Sequence, residues 1–513
     1  MPYIEIETDA GRLRGIENAG TISFLGVPYA ASTGGDNRFR APQPLRPWSG
    51  ARDALGFGPS APQVDTRSHA AANGPKTLSL LYPRGGWPIE AGSVDEDCLR
   101  LNIWAPSHRD EDALPVLVWL HGGGFTHGSG NETVFNGDVL AQAGDLIVVT
   151  VTHRLGITGF LDLRELGEPD SADAGMLDIV AALQWIRRNI AAFGGDPGNV
   201  TVSGQSGGSA KVATLHAMPA ARPLFHRAIM MSGPFTHLPG EADAVAVRTR
   251  AFDELRVEGV KELRRLPVAR LLQAQAKIPT ETAKRFGSAD LSRIPGFGPS
   301  HDAAHLPADP FGPESLELVQ GKRLLIGWTA HEAGLLLVDD PDYSIDMTGE
   351  TVIRLLDEDE PGRGAEIYAQ LTAEYPFESP HLIWSRRISA RVMRDPAIAL
   401  ANTTTGSGIL TWTYQFDQTT EVLDGLLGAC HSLDLAYAFG TVDRIPLTGR
   451  DPERVTVARE MMYAWAHFAR HGTPGPGWET WRPETGTPHH FGTPLGARPV
   501  LGDIDLASPL FPA

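Results

Sequence analysis

One serine with glycines two residues away on either side constrains this chain more than any other feature. Gly204-Gln205-Ser206-Gly207-Gly208 follows the alternating run Asn199-Val200-Thr201-Val202-Ser203 and precedes the small-residue segment Ser209-Ala210-Lys211-Val212-Ala213-Thr214-Leu215. The run reads as a strand and the segment as a helix. Where a strand turns sharply into a helix on a single serine, that residue is held in a strained backbone conformation. Side chains two positions before and after it would collide, so Gly204 and Gly208 stand where only glycine fits. The turn lifts the hydroxyl out of the sheet, and the helix that follows sets its positive end beneath a developing oxyanion. In a chain with 56 glycines the pentapeptide alone carries little. The strand before it and the helix after it carry more.

A second glycine motif supports the same chemistry. His121-Gly122-Gly123-Gly124-Phe125 leaves Leu114-Pro115-Val116-Leu117-Val118-Trp119-Leu120, a continuous apolar run that reads as a buried central strand. Three glycines there let the backbone turn with its N–H groups converging on one point, which suits an anionic tetrahedral intermediate. A phosphate cradle is discounted, because the pattern G-x-x-x-x-G-K-[ST] is absent at this position. Two such loops, each leaving a strand, point to acyl transfer.

The segments around them alternate strand and helix. Asp145 to Thr152 reads as a buried strand, and Met176, Ile179, Val180, Leu183, Ile186 and Ile190 share one helical face. His226 to Gly233 and Arg323 to Trp328 read as further strands, and Val455, Met462, Trp465 and Phe468 mark a long amphipathic helix near the end. The alternation predicts an α/β fold: a mainly parallel sheet flanked by helices on both faces, with the site at the carboxyl ends of its strands. From about Glu241 to Ala308 the chain is polar and helix-like without a sheet strand, so a helical insertion over the active site is expected. A length of 513 residues allows two domains or one large elaborated domain. The formal charge of −18 argues against nucleic-acid or anionic-membrane partners. No apolar run reaches the length of a membrane span, and Met1 to Glu7 has no basic and apolar leader pattern. Two cysteines, Cys98 and Cys430, are too few for a disulfide framework, and a cytoplasmic location is expected.

The chain resembles the type-B carboxylesterases, the carboxylesterase/cholinesterase family of the α/β-hydrolase fold, and most of all its bacterial members typified by para-nitrobenzyl esterases. The residues that carry the resemblance run over nearly the whole chain. They include Phe24 to Ala30, Arg38-Phe39, Trp48 with Asp53-Ala54, Glu96 to Leu99, His121 to Phe125, Asn189 to Pro197, the elbow, and Phe468 to Pro474. The resemblance implies one catalytic domain over residues 1–513, with the insertion at about 241–308. It also implies a serine carboxylesterase acting through an acyl-enzyme, with short-chain or aryl esters as substrates.

The remaining site residues come from this resemblance. Gly327 to Gly334 fits the family's acid loop, with Ala333 replacing a glycine, which makes Glu332 the acid; the residues alone do not choose it over Asp339 or Asp340. Gly428 to Gly440 fits the segment that carries the base, His431. The catalytic set is then Ser206, Glu332 and His431, in the chain order of α/β-hydrolases, with an oxyanion hole from the N–H groups of Gly123, Gly124 and Gly207. No metal or organic cofactor is implied; His489-His490 lies in a Pro/Gly-rich tail without further ligands. The partner is a small ester, and oligomeric state stays open. Two departures stand out. Ala61 replaces the cysteine that relatives pair with the equivalent of Cys98, which makes Cys98 a buried free thiol. Gln205 and Gly207 stand where many relatives have Glu and Ala, so Gln205 removes a buried charge. A carbamate or amide hydrolase, a lipase and a silent binding module are the alternatives. The pocket shape that separates them rests on segments such as Thr77 to Gly92 and the insertion.

Overall fold

A computed structural model describes residues 2–64, 78–82, 93–108, 113–233, 235–278 and 296–492. One twelve-stranded sheet runs through the described chain. Its strands are β1 (Tyr3–Thr8), β2 (Gly11–Asn18), β3 (Thr21–Pro28), β4 (Ala51–Asp53), β5 (Arg100–Pro106), β6 (Leu114–Leu120), β7 (Ile147–Thr152), β8 (Gly195–Gln205), β9 (Arg227–Met231), β10 (Arg323–Thr329), β11 (Leu410–Phe416) and β12 (His489–Phe491). Their spatial order is β1-β2-β3-β5-β7-β6-β8-β9-β10-β11-β12, with β4 paired to β2. From β7 to β12 every pairing is parallel, while β1, β2, β3 and β5 form an antiparallel meander at one end.

The central strands are buried on both faces, which is why β6 and β7 read as unbroken apolar runs. Along β6 the side chains alternate: Val116, Val118 and Leu120 join one core, and Leu117 and Trp119 the other. Helices cover both faces, among them α1 (Ala174–Asn189), α2 (Gly207–His216) and α10 (Glu453–His471). On α1 the apolar face noted in the sequence, Met176, Ile179, Val180, Leu183 and Ile186, is buried in the first core. Of the expected strand Asp145 to Thr152, the first two residues lie outside β7. Asp145 takes a left-handed backbone with φ 46° to close the preceding helix, so pairing starts at Ile147.

The expected insertion is helical where it is described. It comprises α3 (Glu241–Leu255), α4 (Val260–Arg265) and α5 (Val268–Lys277); residues 279–295 lie outside the described residues. Gln275 on α5 accepts from Ile157 N at 2.8 Å, and Arg38 donates to the carbonyl of Arg264 on α4 at 2.8 Å, so α5 sits on the short helix that follows β7 and α4 on the segment that follows β3. Of the segment Thr77 to Gly92, Leu78–Leu81 form a short helix, while Thr77 and residues 83–92 lie outside the described residues. Between β10 and β11 lie α6 (Gly349–Asp359), α7 (Gly364–Glu374), α8 (Pro380–Ser389) and α9 (Asp395–Gly406).

Candidate active site

Ser206 occupies the turn between β8 and α2 with φ 55° and ψ −122°, a left-handed backbone rarely taken by a side-chain-bearing residue. Its N–H donates to the carbonyl of Met231 on β9 at 2.9 Å, and its own carbonyl accepts from Ala210 at 3.0 Å. The turn is therefore held from both sides. A methyl group on Gly204 would fall on the backbone of Gly208, and one on Gly208 would fall on the carbonyl of Leu120. Both flanking glycines are thus sterically required, as the elbow pattern predicts.

The glycine loop after β6 meets this turn because β6 and β8 are hydrogen-bonded neighbours, with Leu120 opposite Gly204. Gly123 and Gly124 have φ 82° and 62°, conformations that glycine alone adopts without strain. The carbonyl of Gly123 accepts from His127 N at 3.0 Å. A methyl group on Gly207 would fall on the backbone of Gly124, so the loop lies directly against the start of α2. The sequence-predicted set Gly123, Gly124 and Gly207 is thereby brought together beside Ser206.

Glu332 follows β10 and His431 lies in the loop after β11, two parallel neighbours. An isolated bridge between His331 and Cys430 continues their pairing, with His331 N donating to the carbonyl of Ala429 at 2.9 Å. That bridge sets Glu332 beside His431. His431 Nδ1 lies 2.6 Å from Glu332 Oε2, and Glu332 Oε1 accepts from Thr329 N at 2.7 Å. Glu332 is wholly buried, so its oxygens have protein partners in place of water. Asp339 is exposed, and Asp340 turns its carboxylate to the N–H of Asp342 at 2.9 Å. Of the three acids the sequence left open, only Glu332 meets the histidine.

His431 Nε2 faces the nucleophile turn, and its partner there is the side chain of Gln205, with Nε2 at 3.1 Å. With Nδ1–H donated to Glu332, His431 Nε2 accepts and the Gln205 amide donates. Among the described residues no hydrogen bond involves Ser206 Oγ. A second carboxyl, Asp434, is buried nearby and accepts from Tyr414 Oη at 3.1 Å. Burial, and next the adjacent Glu332, pushes the Asp434 carboxyl up to about 7.

Sequence reasoning missed two supports. His331 anchors the acid loop through Nδ1, which accepts from Ala429 N at 3.1 Å, and through Nε2, 3.2 Å from Glu378. Lys211, passed over as part of a small-residue helix, is fully buried beneath the glycine loop. Cys98 and Cys430 are both free and buried, and burial pushes both thiols up, which makes them poor nucleophiles. His489 stacks on Trp478 with ring centroids 4.0 Å apart, and His490 pairs with Asp417 at 2.5 Å. Among the described residues no group of three or more His, Cys, Asp or Glu is placed to hold a metal ion.

A mainly parallel sheet with a strained serine turn after one central strand, a glycine loop after its neighbour, and an acid–histidine pair after two others defines a hydrolase of the α/β-hydrolase fold. The carboxylesterase family model matches residues 2–493, and the chain belongs to the carboxylesterase family. It is similar to the phenmedipham hydrolase of Pseudarthrobacter oxydans, 35% identical with 93% of this chain and 92% of the relative covered. It is likewise similar to the para-nitrobenzyl esterase of Bacillus subtilis, 32% identical with 94% of each chain covered. A solved esterase from Clostridium hathewayi superposes with a TM-score of 0.78 at 30% identity, covering 96% of this chain and 95% of that one. The protein is a carboxylic ester hydrolase. No described helix is long and apolar enough to cross a membrane.

Proposed function

We propose that Ser206, His431 and Glu332 carry out two-step ester hydrolysis, with the N–H groups of Gly123, Gly124 and Gly207 holding the oxyanion. The observation that carries this reading is the 2.6 Å contact between Glu332 and His431 Nδ1, which leaves His431 Nε2 as the acceptor facing the Ser206 turn. Substrate entry must exchange the Gln205 amide for Ser206 Oγ at that nitrogen; such contacts often tighten only in the substrate complex. His431 then takes the Ser206 proton as Oγ attacks the ester carbonyl. Glu332 fixes the tautomer and stabilises the imidazolium. The alcohol leaves with that proton, and water repeats the sequence on the acyl-enzyme.

The whole chain acts as one catalytic unit in this reading, because the site draws on β6, β8, β10 and β11 of a single sheet. Short-chain and aryl esters are the proposed substrates. No described helix is long and apolar enough to cross a membrane, and the charge of −18 disfavours an anionic lipid surface. Two free, buried thiols suit a cytoplasmic location, which fractionation of the native cell tests. The central experiment labels the protein with a fluorophosphonate and measures kcat/KM for p-nitrophenyl acetate through palmitate, beside a matched anilide and phenmedipham. The expected result is an adduct on Ser206 alone, loss of turnover by roughly 10³-fold or more in Ser206→Ala, and a maximum at acetate or butyrate. An adduct elsewhere refutes the site. A maximum at twelve carbons or longer, or faster turnover of phenmedipham than of any ester, refutes the substrate class.

A further inference from the structure

Lys211 has no part in the mechanism above, yet it is buried completely, five residues after Ser206 on α2. Its ammonium donates to two backbone carbonyls of the glycine loop, His121 at 2.9 Å and Gly124 at 2.8 Å. The positions of those carbonyls matter. They belong to the peptide groups on either side of the two that carry the N–H groups of Gly123 and Gly124. A glycine peptide rotates with little steric resistance, so a run of three glycines does not by itself hold its N–H groups in one direction. Fixing the carbonyl before the run and the carbonyl at its end removes that freedom. The absent side chain at Gly207 completes the arrangement, since a methyl group there would push Gly124 away from the elbow.

We infer that Lys211 is a positioning residue for ester hydrolysis: its ammonium clamps the glycine loop so that the N–H groups of Gly123 and Gly124 point at the oxyanion. The inference rests on the reading of Ser206 and the glycine loop given above. Burying a cation costs stability, and a lysine that only filled space would be replaced at no loss by an apolar side chain. The cost is visible here, because burial pushes the Lys211 amine down to about 7, with the Glu132 carboxylate opposing. Among the described residues no carboxylate forms an ion pair with Lys211. The ring of Phe125 lies 5.4 Å from its Nζ. The stacked rings of His121 and His153 are held neutral next to it, chiefly by burial and then by its charge. The donors of the Lys211 amine are thus left to the two loop carbonyls.

The test uses Lys211→Met, which keeps the length without donors, and Lys211→Gln, which keeps donors without the charge. Both are measured with p-nitrophenyl butyrate and with an alkyl trifluoromethyl ketone that forms a tetrahedral adduct. Lys211→Met is expected to lower kcat by roughly 10- to 100-fold, below the loss of a whole oxyanion donor, with KM changed by less than about threefold. Ketone affinity is expected to fall by the same factor as kcat, which a merely structural role would not produce. Lys211→Gln is expected to fall between Met and wild type, by more than about threefold in both quantities. If Lys211→Met does not accumulate folded, Lys211→Gln is judged by that criterion. A kcat within about threefold of wild type, or a lower kcat with unchanged ketone affinity, overturns the inference. Wild-type protein that a fluorophosphonate fails to label at Ser206 overturns the reading beneath it instead.

Discussion

Replacing Glu332 by glutamine preserves shape and removes only a charge, and the structure says which way the new amide must face. Glu332 Oε1 accepts from Thr329 N at 2.7 Å, and a buried N–H is costly to leave unpaired. The glutamine oxygen therefore stays on Thr329, and its NH2 turns to His431 Nδ1, where Oε2 now lies 2.6 Å away. A donor at that point requires Nδ1 to accept, which moves the imidazole proton to Nε2, toward Ser206. Gln205, 3.1 Å from that nitrogen, can answer by presenting its oxygen, which holds the wrong tautomer in place. The histidine can then no longer take the serine proton, and the imidazolium formed in the transition state loses its counter-charge. At 2.6 Å the lost attraction has a ceiling of about 6 kcal/mol for an effective dielectric near 20. Solvent access and relaxation reduce it, so the expected loss in kcat/KM is roughly 10²- to 10⁴-fold. The assay is p-nitrophenyl butyrate hydrolysis across pH, with thermal unfolding as a control for folding. Near wild-type turnover in Glu332→Gln, together with its loss in Asp339→Asn or Asp340→Asn, would falsify the assignment.

Other perturbations follow from neighbouring contacts. Asp434 holds its proton in the folded protein up to about pH 7, whereas the unfolded chain releases it near 3.8, so this group lowers stability progressively as pH rises between those values. Asp434→Asn should match wild type near pH 4 and gain stability above pH 7, by roughly 4 kcal/mol at most; equal shifts in Tm at pH 4 and pH 8 would contradict this. Gly207→Ala would drive a methyl group into the Gly124 backbone, and kcat should drop by roughly 10- to 100-fold with little change in KM. An unchanged kcat would show that the loop can move at no cost to the oxyanion hole. Asp178 pairs with Arg154 in full burial, with Arg154 Nη2 and Nε at 2.6 and 2.8 Å. Asp178→Asn leaves that cation uncompensated and should cost roughly 3–5 kcal/mol in urea unfolding; a loss under about 1 kcal/mol would sink the argument.

The parts of the site that the sequence made legible are those set by local sterics. Strand β6 ends at Leu120 as the apolar run does, and the elbow glycines announce Ser206 because nothing else fits beside it. Glu332 was legible only through resemblance, since its contact with His431 depends on a bridge between residues 99 positions apart in the chain. Strand β11 had a signal that went unused: Leu410, Trp412, Tyr414 and Phe416 alternate with Thr411, Thr413 and Gln415, which is the period of a strand. Strand β12 was read as tail because three residues are too few to show a period. Lys211 also had an unused signal: it is the one charged residue among the small and apolar residues from Gly207 to Leu215, so a helix there had little polar face for it to occupy.

The ladder between β6 and β8 has one more consequence. Leu120 and Gly204 face each other in fixed register, so the separation of the serine from the glycine loop is set by the spacing of hydrogen-bonded strands, close to 5 Å. The ladder from β10 to β11, prolonged by the His331–Cys430 bridge, does the same for the acid and the base. The chemistry is therefore gauged by the frame, and the residues just after β10, which carry His331 and Glu332, belong to that gauge, whereas helices α3 to α5 between β9 and β10 lie outside the two ladders. Changes of sequence in α3 to α5 leave both ladders in place, which makes those helices the natural ground on which one scaffold varies without retuning the reaction.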